Sequence, residues 1–282
     1  MRAQLVLMAE EDTVRTSTLS KGICLISIDR RHRRNAVDSA TAKKLYEAFL
    51  AFEQNEDQKV CVFFGENGTF CAGADLTSIP RQEDSIKESS ARKSSEIFME
   101  HSQGPMGPSR MQVRKPVIAA VSGYAVAGGL ELSLIADIRV VEESAIFGVF
   151  CRRWGVPLID GGTVRLPKVV GVGRAMDMIL TGRPVDAQEA LQMGLANRVV
   201  PDGKARDEAI ELAKQLVQFP QLCLNADRDS AYYAAYNATT FEDAMRNEFE
   251  NGFPIVAAEG VKGAQRFANG AGRHGVFGTS KL

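Results

Sequence analysis

The stretch Pro116–Glu131, PVIAAVSGYAVAGGLE, constrains this chain more than any other. Val117–Val121 is a short apolar run with β-branched residues, bounded by Pro116 and Gly123, and predicts a fully buried strand. Ser122-Gly123-Tyr124 turns the chain, and Gly128-Gly129 opens an apolar helix over Leu130–Ala136. Two glycines at a helix start let a ligand come close to the backbone, because no Cβ stands in the way. The unpaired N–H groups of that first turn, together with the helix dipole, suit a developing negative charge. Glu131 follows Gly128 by one turn, and helical side chains lean towards the N-terminus, so its carboxylate points back at whatever those N–H groups hold. An oxyanion donor and an acid/base carboxylate in one turn fit enolate chemistry. Glu131 could equally do no more than complement the dipole. A reciprocal capping box is ruled out, because Ala125–Ala127 offers no side-chain cap.

What surrounds this element is ordinary globular material: 282 residues, 45% hydrophobic, 24% charged, net charge −1. That balance gives no reason to expect a nucleic-acid or membrane-surface partner. Five scattered cysteines without CxxC predict a reducing compartment and no disulfide framework. No apolar run reaches transmembrane length, and Leu5–Met8 is too short for a signal-peptide core. GxSxG, HExxH, P-loop and metal-spaced His/Cys patterns are missing, so no metal is expected.

In chain order, Ile23–Ile28 reads as a buried strand, followed by the basic loop Asp29–Val37. That loop could meet phosphates, or be solvated only. Asp38 caps a helix running to about Asn55, with Leu45, Phe49 and Phe52 inward. Val60–Phe64 is a strand, and Phe70-Cys-Ala-Gly-Ala-Asp-Leu76 sets small residues between two large ones, where backbone N–H groups can be presented. Residues 77–115 read as a flap, helical over Ser85–Ser102 with His101 on one face, and broken by Gly104-Pro-Met-Gly-Pro108. Strands follow at Asp137–Val141 and Ala145–Gly148. Then come a Gly-rich connection carrying Asp160, helix over Leu166–Leu180 interrupted at Gly171-Val-Gly173, a short helix capped by Asp186, and a strand at Asn197–Val200. Lys204–Phe267 is helical, with its tyrosines in core or subunit contacts. The expectation is an α/β core with a C-terminal helical part, divided as 1–203 and 204–282.

Taken together, Arg34-Asn-Ala-Val37, Phe70–Leu76, Lys115–Glu131, Phe147-Gly…Gly161-Gly-Thr…Leu166-Pro and Leu180-Thr-Gly…Val199-Val200 resemble the enoyl-CoA hydratase/isomerase (crotonase) family, in order, from about residue 14 to 275. The resemblance implies a spiral of ββα turns, assembled as homotrimers or hexamers. It implies an acyl-CoA substrate and no cofactor, coenzyme A being part of the substrate. The thioester oxygen would sit between the N–H groups of Ala72 and Gly128. Arg34, Ala36, Gly73, Ala74, Asp75 and Cys151 would complete the substrate wall. Of the two glutamates that hold water in family hydratases, Glu131 matches the first, and Cys151 stands where the second belongs. Asp160 is the nearest acidic candidate to assist Glu131, although a turn-forming Asp reads the same way. The implied function is enoyl-CoA hydratase-like lyase chemistry of the fatty-acid oxidation type. The alternatives are an acyl-CoA-binding homologue without turnover, or an isomerase or other lyase of the family. Ser280-Lys-Leu282 matches the peroxisomal tripeptide if the source is a eukaryote; otherwise a cytoplasmic protein is expected.

Overall fold

The computed structural model describes residues 12–20, 22–78 and 103–272. The expected helix Ser85–Ser102 with His101, and the terminal Ser280–Leu282, lie outside these residues.

One six-stranded sheet organises the molecule. Its strands are β1 (Val14–Ser20), β2 (Ile23–Ile28), β3 (Val60–Gly65), β4 (Val117–Val121), β6 (Ile138–Glu142) and β9 (Arg198–Val200), adjacent in that order. β1 and β2 form an antiparallel pair, and every later pairing is parallel. β3 and β4 are buried at every position, as parallel strands covered on both faces must be. Alternation sorts their side chains. Cys61, Phe63, Val117, Ala119 and Val121 enter the main core, whereas Val60, Val62, Phe64, Ile118 and Ala120 face the opposite side.

Each face has its own helix. Asp38 caps α1 (Ser39–Gln54) as expected, its Oδ1 accepting from the Thr41 N–H at 2.8 Å. Leu45, Phe49 and Phe52 of α1 are fully buried. Phe49, Phe63 and Phe70 meet edge to face at 5.2 Å, contacts worth about 0.5–1.5 kcal/mol each beyond area burial. The other face is closed by α6 (Ala205–Leu216) through Ala205, Ala209, Leu212 and Ala213. The division expected at residue 204 therefore does not follow the packing: α6 belongs to the sheet. The helices with no buried residue begin at α7 (Gln221–Tyr236) and continue through α8 (Phe241–Ile255), a π-helical turn and α9 (Val261–Ala268). Asp137 anchors α7 by accepting from Tyr232 Oη at 2.7 Å and Arg228 Nε at 2.9 Å.

A second, smaller sheet escaped the sequence reading. β5 (Tyr124–Val126), of which only Tyr124 was read, as the end of a turn, pairs in parallel with β7 (Ile146–Gly148), which pairs with β8 (Val185–Asp186). Isolated bridges extend this row through Cys71↔Ala125 and Val37↔Ala74. Each pass of the chain thus contributes one strand to the large sheet and a short one to the small sheet before a helix returns it. This is the expected spiral of ββα turns. α2 (Gly128–Ser133), α3 (Gly162–Val170), α4 (Val172–Thr181) and α5 (Ala187–Gln192) complete it.

Part of the expected flap turns out to be core. In residues 103–115, Met106, Pro108, Ser109, Met111 and Val113 are buried, and Gly104 and Gly107 exchange backbone hydrogen bonds at 2.8 and 2.9 Å. The Gly/Pro cluster is a rigid tight turn inserted beneath α1, where a methyl on Gly107 would meet the Ala42 carbonyl.

Candidate active site

Three backbone segments meet at the start of α2. Ala127 precedes the helix with φ +52 and ψ −123 and offers no side-chain cap. That conformation costs a non-glycine residue of order 1–3 kcal/mol and persists only where neighbours fix it. Here the Ala127 N–H donates to the Gly148 carbonyl at 2.8 Å. Gly73, at φ +98, lies against the same corner: a methyl there would come 2.9 Å from Ala127 Cβ and 3.2 Å from the Gly128 nitrogen. A methyl on Gly129 would overlap the Cys71 carbonyl oxygen. The glycines are therefore needed for two backbones to touch.

The hydrogen bonds decide which N–H groups remain for a ligand. The Ala72 N–H donates to the Arg34 carbonyl at 3.1 Å, so Ala72 does not fit the donor role expected of it. On the same side, Val37 donates to Gly73 and Asp75 donates to Val37, both at 2.8 Å. Successive peptide groups alternate in direction along an extended segment, so Ala74 aims its N–H away from the Val37 strand. Neither the Ala74 nor the Gly128 N–H has a hydrogen-bond acceptor among the described residues.

Glu131, one turn into α2, is only 3% exposed. Its Oε1 accepts from the Gly162 N–H at 2.8 Å and the Asp160 N–H at 2.9 Å. Both donors come from the glycine-rich entry to α3, so the carboxylate also lies at that helix's positive end. Oε2 has no hydrogen bond to a described residue. Burial, with the nearby Asp160 charge, pushes the Glu131 carboxyl up to about 7, against the hydrogen bonds from Gly162 and Asp160 and the Arg165 charge. Both protonation states are then populated near neutrality.

A stability test follows from this shift. The folded pKa lies above the ordinary 4.5, so the stabilisation is complete below pH 4.5 and lost as pH rises through about 7. Glu131→Gln is expected to gain on the wild type between pH 5 and pH 8.5, by up to about 3 kcal/mol. Denaturant midpoints at the two pH values measure it, and a difference independent of pH would contradict the assigned shift.

The Asp160 carboxyl does not point into the site as an acid/base assistant would. Its Oδ1 accepts from the Met106 N–H at 2.9 Å and from the Ser109 hydroxyl. Only its backbone N–H meets Glu131. Arg165 ties the arrangement together, donating to the Ser109 carbonyl at 2.6 Å and the Met111 carbonyl at 3.1 Å. Sequence reasoning missed Met106, Ser109 and Arg165; Gly104–Pro108 was legible there only as a break. Cys151 lies on a short 3-10 helix, Phe150–Trp154, with its thiol held above its ordinary value by burial and by the Glu131 charge. It therefore sits within the electrostatic reach of Glu131 but stays a neutral thiol.

The basic loop is less free than its composition suggested. Arg30 turns inward, with Nη2 2.7 Å from Asp38 and 3.3 Å from Asp75. Asn35, at φ +57 and buried, donates to the Glu66 and Thr69 carbonyls at 2.9 and 2.6 Å and accepts from the Arg30 N–H. Ala36 is buried, while Arg31, Arg33 and Arg34 are exposed, Arg34 lying 5.8 Å from the Tyr124 ring.

Residues 18–269 match the sequence model of the enoyl-CoA hydratase/isomerase family. The chain belongs to that family. The enoyl-CoA hydratase EchA19 of Mycobacterium tuberculosis is 36% identical over 198 residues, spanning 67% of this chain and 69% of that protein. The carnitinyl-CoA dehydratase of Salmonella agona is 33% identical over 253 residues, or 86% and 90% of the two chains. The crystal structure of an enoyl-CoA hydratase from M. tuberculosis superimposes with a TM-score of 0.80 at 29% identity, covering 92% of this chain and 96% of that one. These relatives are bacterial, and they support acyl-CoA-processing chemistry of the hydratase/lyase type. Among the described residues no helix is long and apolar enough to cross a membrane.

Proposed function

We propose that this family member is an enoyl-CoA hydratase-like lyase with one acid/base carboxylate. The observation that carries the reading is the pairing of two uncommitted backbone N–H groups, Ala74 and Gly128, with a buried Glu131 whose carboxyl titrates near neutrality. The thioester oxygen of a 2-enoyl-CoA would accept from both N–H groups, which stabilise the enolate formed on attack at the β-carbon. Glu131 Oε2 takes a proton from water as its oxygen adds to that carbon. The same group then returns the proton to the α-carbon, for a net addition of water. Elimination follows the reverse course. Cys151 supplies no second carboxylate, so among the described residues Glu131 alone orients the water, and turnover is slow.

Absorbance assays on crotonyl-CoA and on a 3-enoyl-CoA test this. Hydration of the first supports the reading; migration of the double bond in the second makes the chain an isomerase. Tight acyl-CoA binding without turnover makes it a binding protein. Cys151→Glu is expected to raise hydration roughly tenfold or more, by adding a second group to hold the water. An unchanged or lower rate in a folded variant would mean that position 151 does not face the water.

The helices from Gln221 onward carry the exposed Phe241, Phe249, Phe253 and Phe267. With the family's habit of assembly, this supports a homotrimer or hexamer. Light scattering that gives a 30.7 kDa particle would refute it. Should the host be a eukaryote, Ser280–Leu282 is proposed as a peroxisomal address. Deleting Leu282 would then leave a fluorescent fusion in the cytosol, and unchanged organelle targeting would count against it.

A further inference from the structure

Met106 is 1% exposed and packs against the first residue of α2. A methyl on Gly128 would come 2.7 Å from its Sδ and 2.9 Å from its Cγ and Cε. Its backbone N–H is held by Asp160 Oδ1 at 2.9 Å, and the Asp160 N–H in turn holds Glu131 Oε1 at 2.9 Å. Met106 thus touches the first turn of α2 at Gly128 with its side chain and is tied by its backbone, through Asp160, to the carboxylate of Glu131.

Methionine is ordinarily the most adaptable core side chain, but this one has little freedom. Its backbone belongs to the tight turn closed by the Gly104–Gly107 hydrogen bonds, with Pro105 and Pro108 fixing φ on either side. Ser109 and Arg165 lock the turn's outgoing limb.

We propose that Met106 forms the wall of the acyl slot beside the thioester, and so selects acyl-CoA substrates unbranched at the α-carbon. This rests on the thioester reading above. If the carbonyl oxygen lies on the Gly128 N–H and the α-carbon must reach Glu131, the path between them runs along Met106. A wall there limits the substituent on the α-carbon. It does not limit chain length, which is set farther from the carbonyl.

The test compares kcat/KM for crotonyl-CoA and 2-methylcrotonyl-CoA. In parallel, calorimetry compares affinity for butyryl-CoA and 2-methylbutyryl-CoA, which cannot be hydrated. A single methyl in a shaped apolar pocket is worth roughly tenfold or more, so the wild type is expected to favour the unbranched member of each pair by that factor. Met106→Ala should remove at least about tenfold of the preference, and Met106→Leu, close in volume, should keep it. Because Met106 is buried, the alanine variant risks failing to fold. Met106→Val retains more volume and should shift the preference in the same direction by about threefold. An unchanged preference in folded alanine or valine variants that still bind butyryl-CoA would overturn the assignment. So would an altered preference between butyryl-CoA and octanoyl-CoA with none for branching. A wild type that binds no acyl-CoA would instead overturn the thioester reading itself, and this inference with it.

Discussion

Glu131→Gln is expected to lower turnover of a 2-enoyl-CoA on the order of 10²–10⁴-fold while leaving acyl-CoA affinity nearly unchanged. The substitution keeps the shape, and the amide oxygen can still accept from the Asp160 and Gly162 N–H groups at 2.9 and 2.8 Å. What it removes is the titrating oxygen. The chemistry as proposed asks one group to take a proton from water and return it to carbon, and among the described residues the carboxylate nearest Glu131, that of Asp160, is engaged by the 104–109 turn instead. Asp160 Oδ1 is held by Met106 and Ser109, and Cys151 remains a neutral thiol. Single-turnover rates with crotonyl-CoA, beside calorimetric affinities for butyryl-CoA, separate the two effects. Full turnover in the variant would leave Glu131 with only a structural role at the meeting of two helix N-termini.

The second large effect concerns a backbone atom. Replacing the amide of residue 74 by an ester removes one N–H and little else. Loss of a preorganised oxyanion donor costs roughly 10²–10³-fold in kcat, or about 3–4 kcal/mol. The same replacement at residue 72 removes the donor to the Arg34 carbonyl instead. It should cost about 1 kcal/mol of stability with little change in kcat. Thermal midpoints and kcat measured on both variants distinguish the donors. Loss of turnover at 72 with none at 74 would invert the assignment.

Helix α1 was legible because Asp38, Leu45, Phe49 and Phe52 are local signals: a cap and a stripe at helical spacing. The buried strands β3 and β4 were legible because continuous apolar runs between turn residues have few other uses. β5 was not, since three residues between two turns carry no periodicity, and only β7 and Cys71 make them a strand. The first half of the site was legible for the same local reason. Gly128 and Glu131 lie one turn apart, so their relation is fixed by helix geometry.

The rest depended on contacts between residues far apart in the chain. Which of Ala72 and Ala74 keeps a spare N–H depends on Arg34 and Val37, which pair with alternate residues of that segment. Whether Asp160 is an acid or a strut depends on Met106 and Ser109, more than 50 residues before it. Whether 103–115 is flap or core depends on α1 lying over it. The sequence alone determined the longer helices and the buried strands, the glycines that open α2, and the carboxylate one turn into it. Only the tertiary structure decided which donors are free, what engages each carboxylate and that Met106 packs against Gly128. Local geometry follows from neighbours in sequence, whereas hydrogen-bond competition and burial are settled by whatever the fold brings alongside.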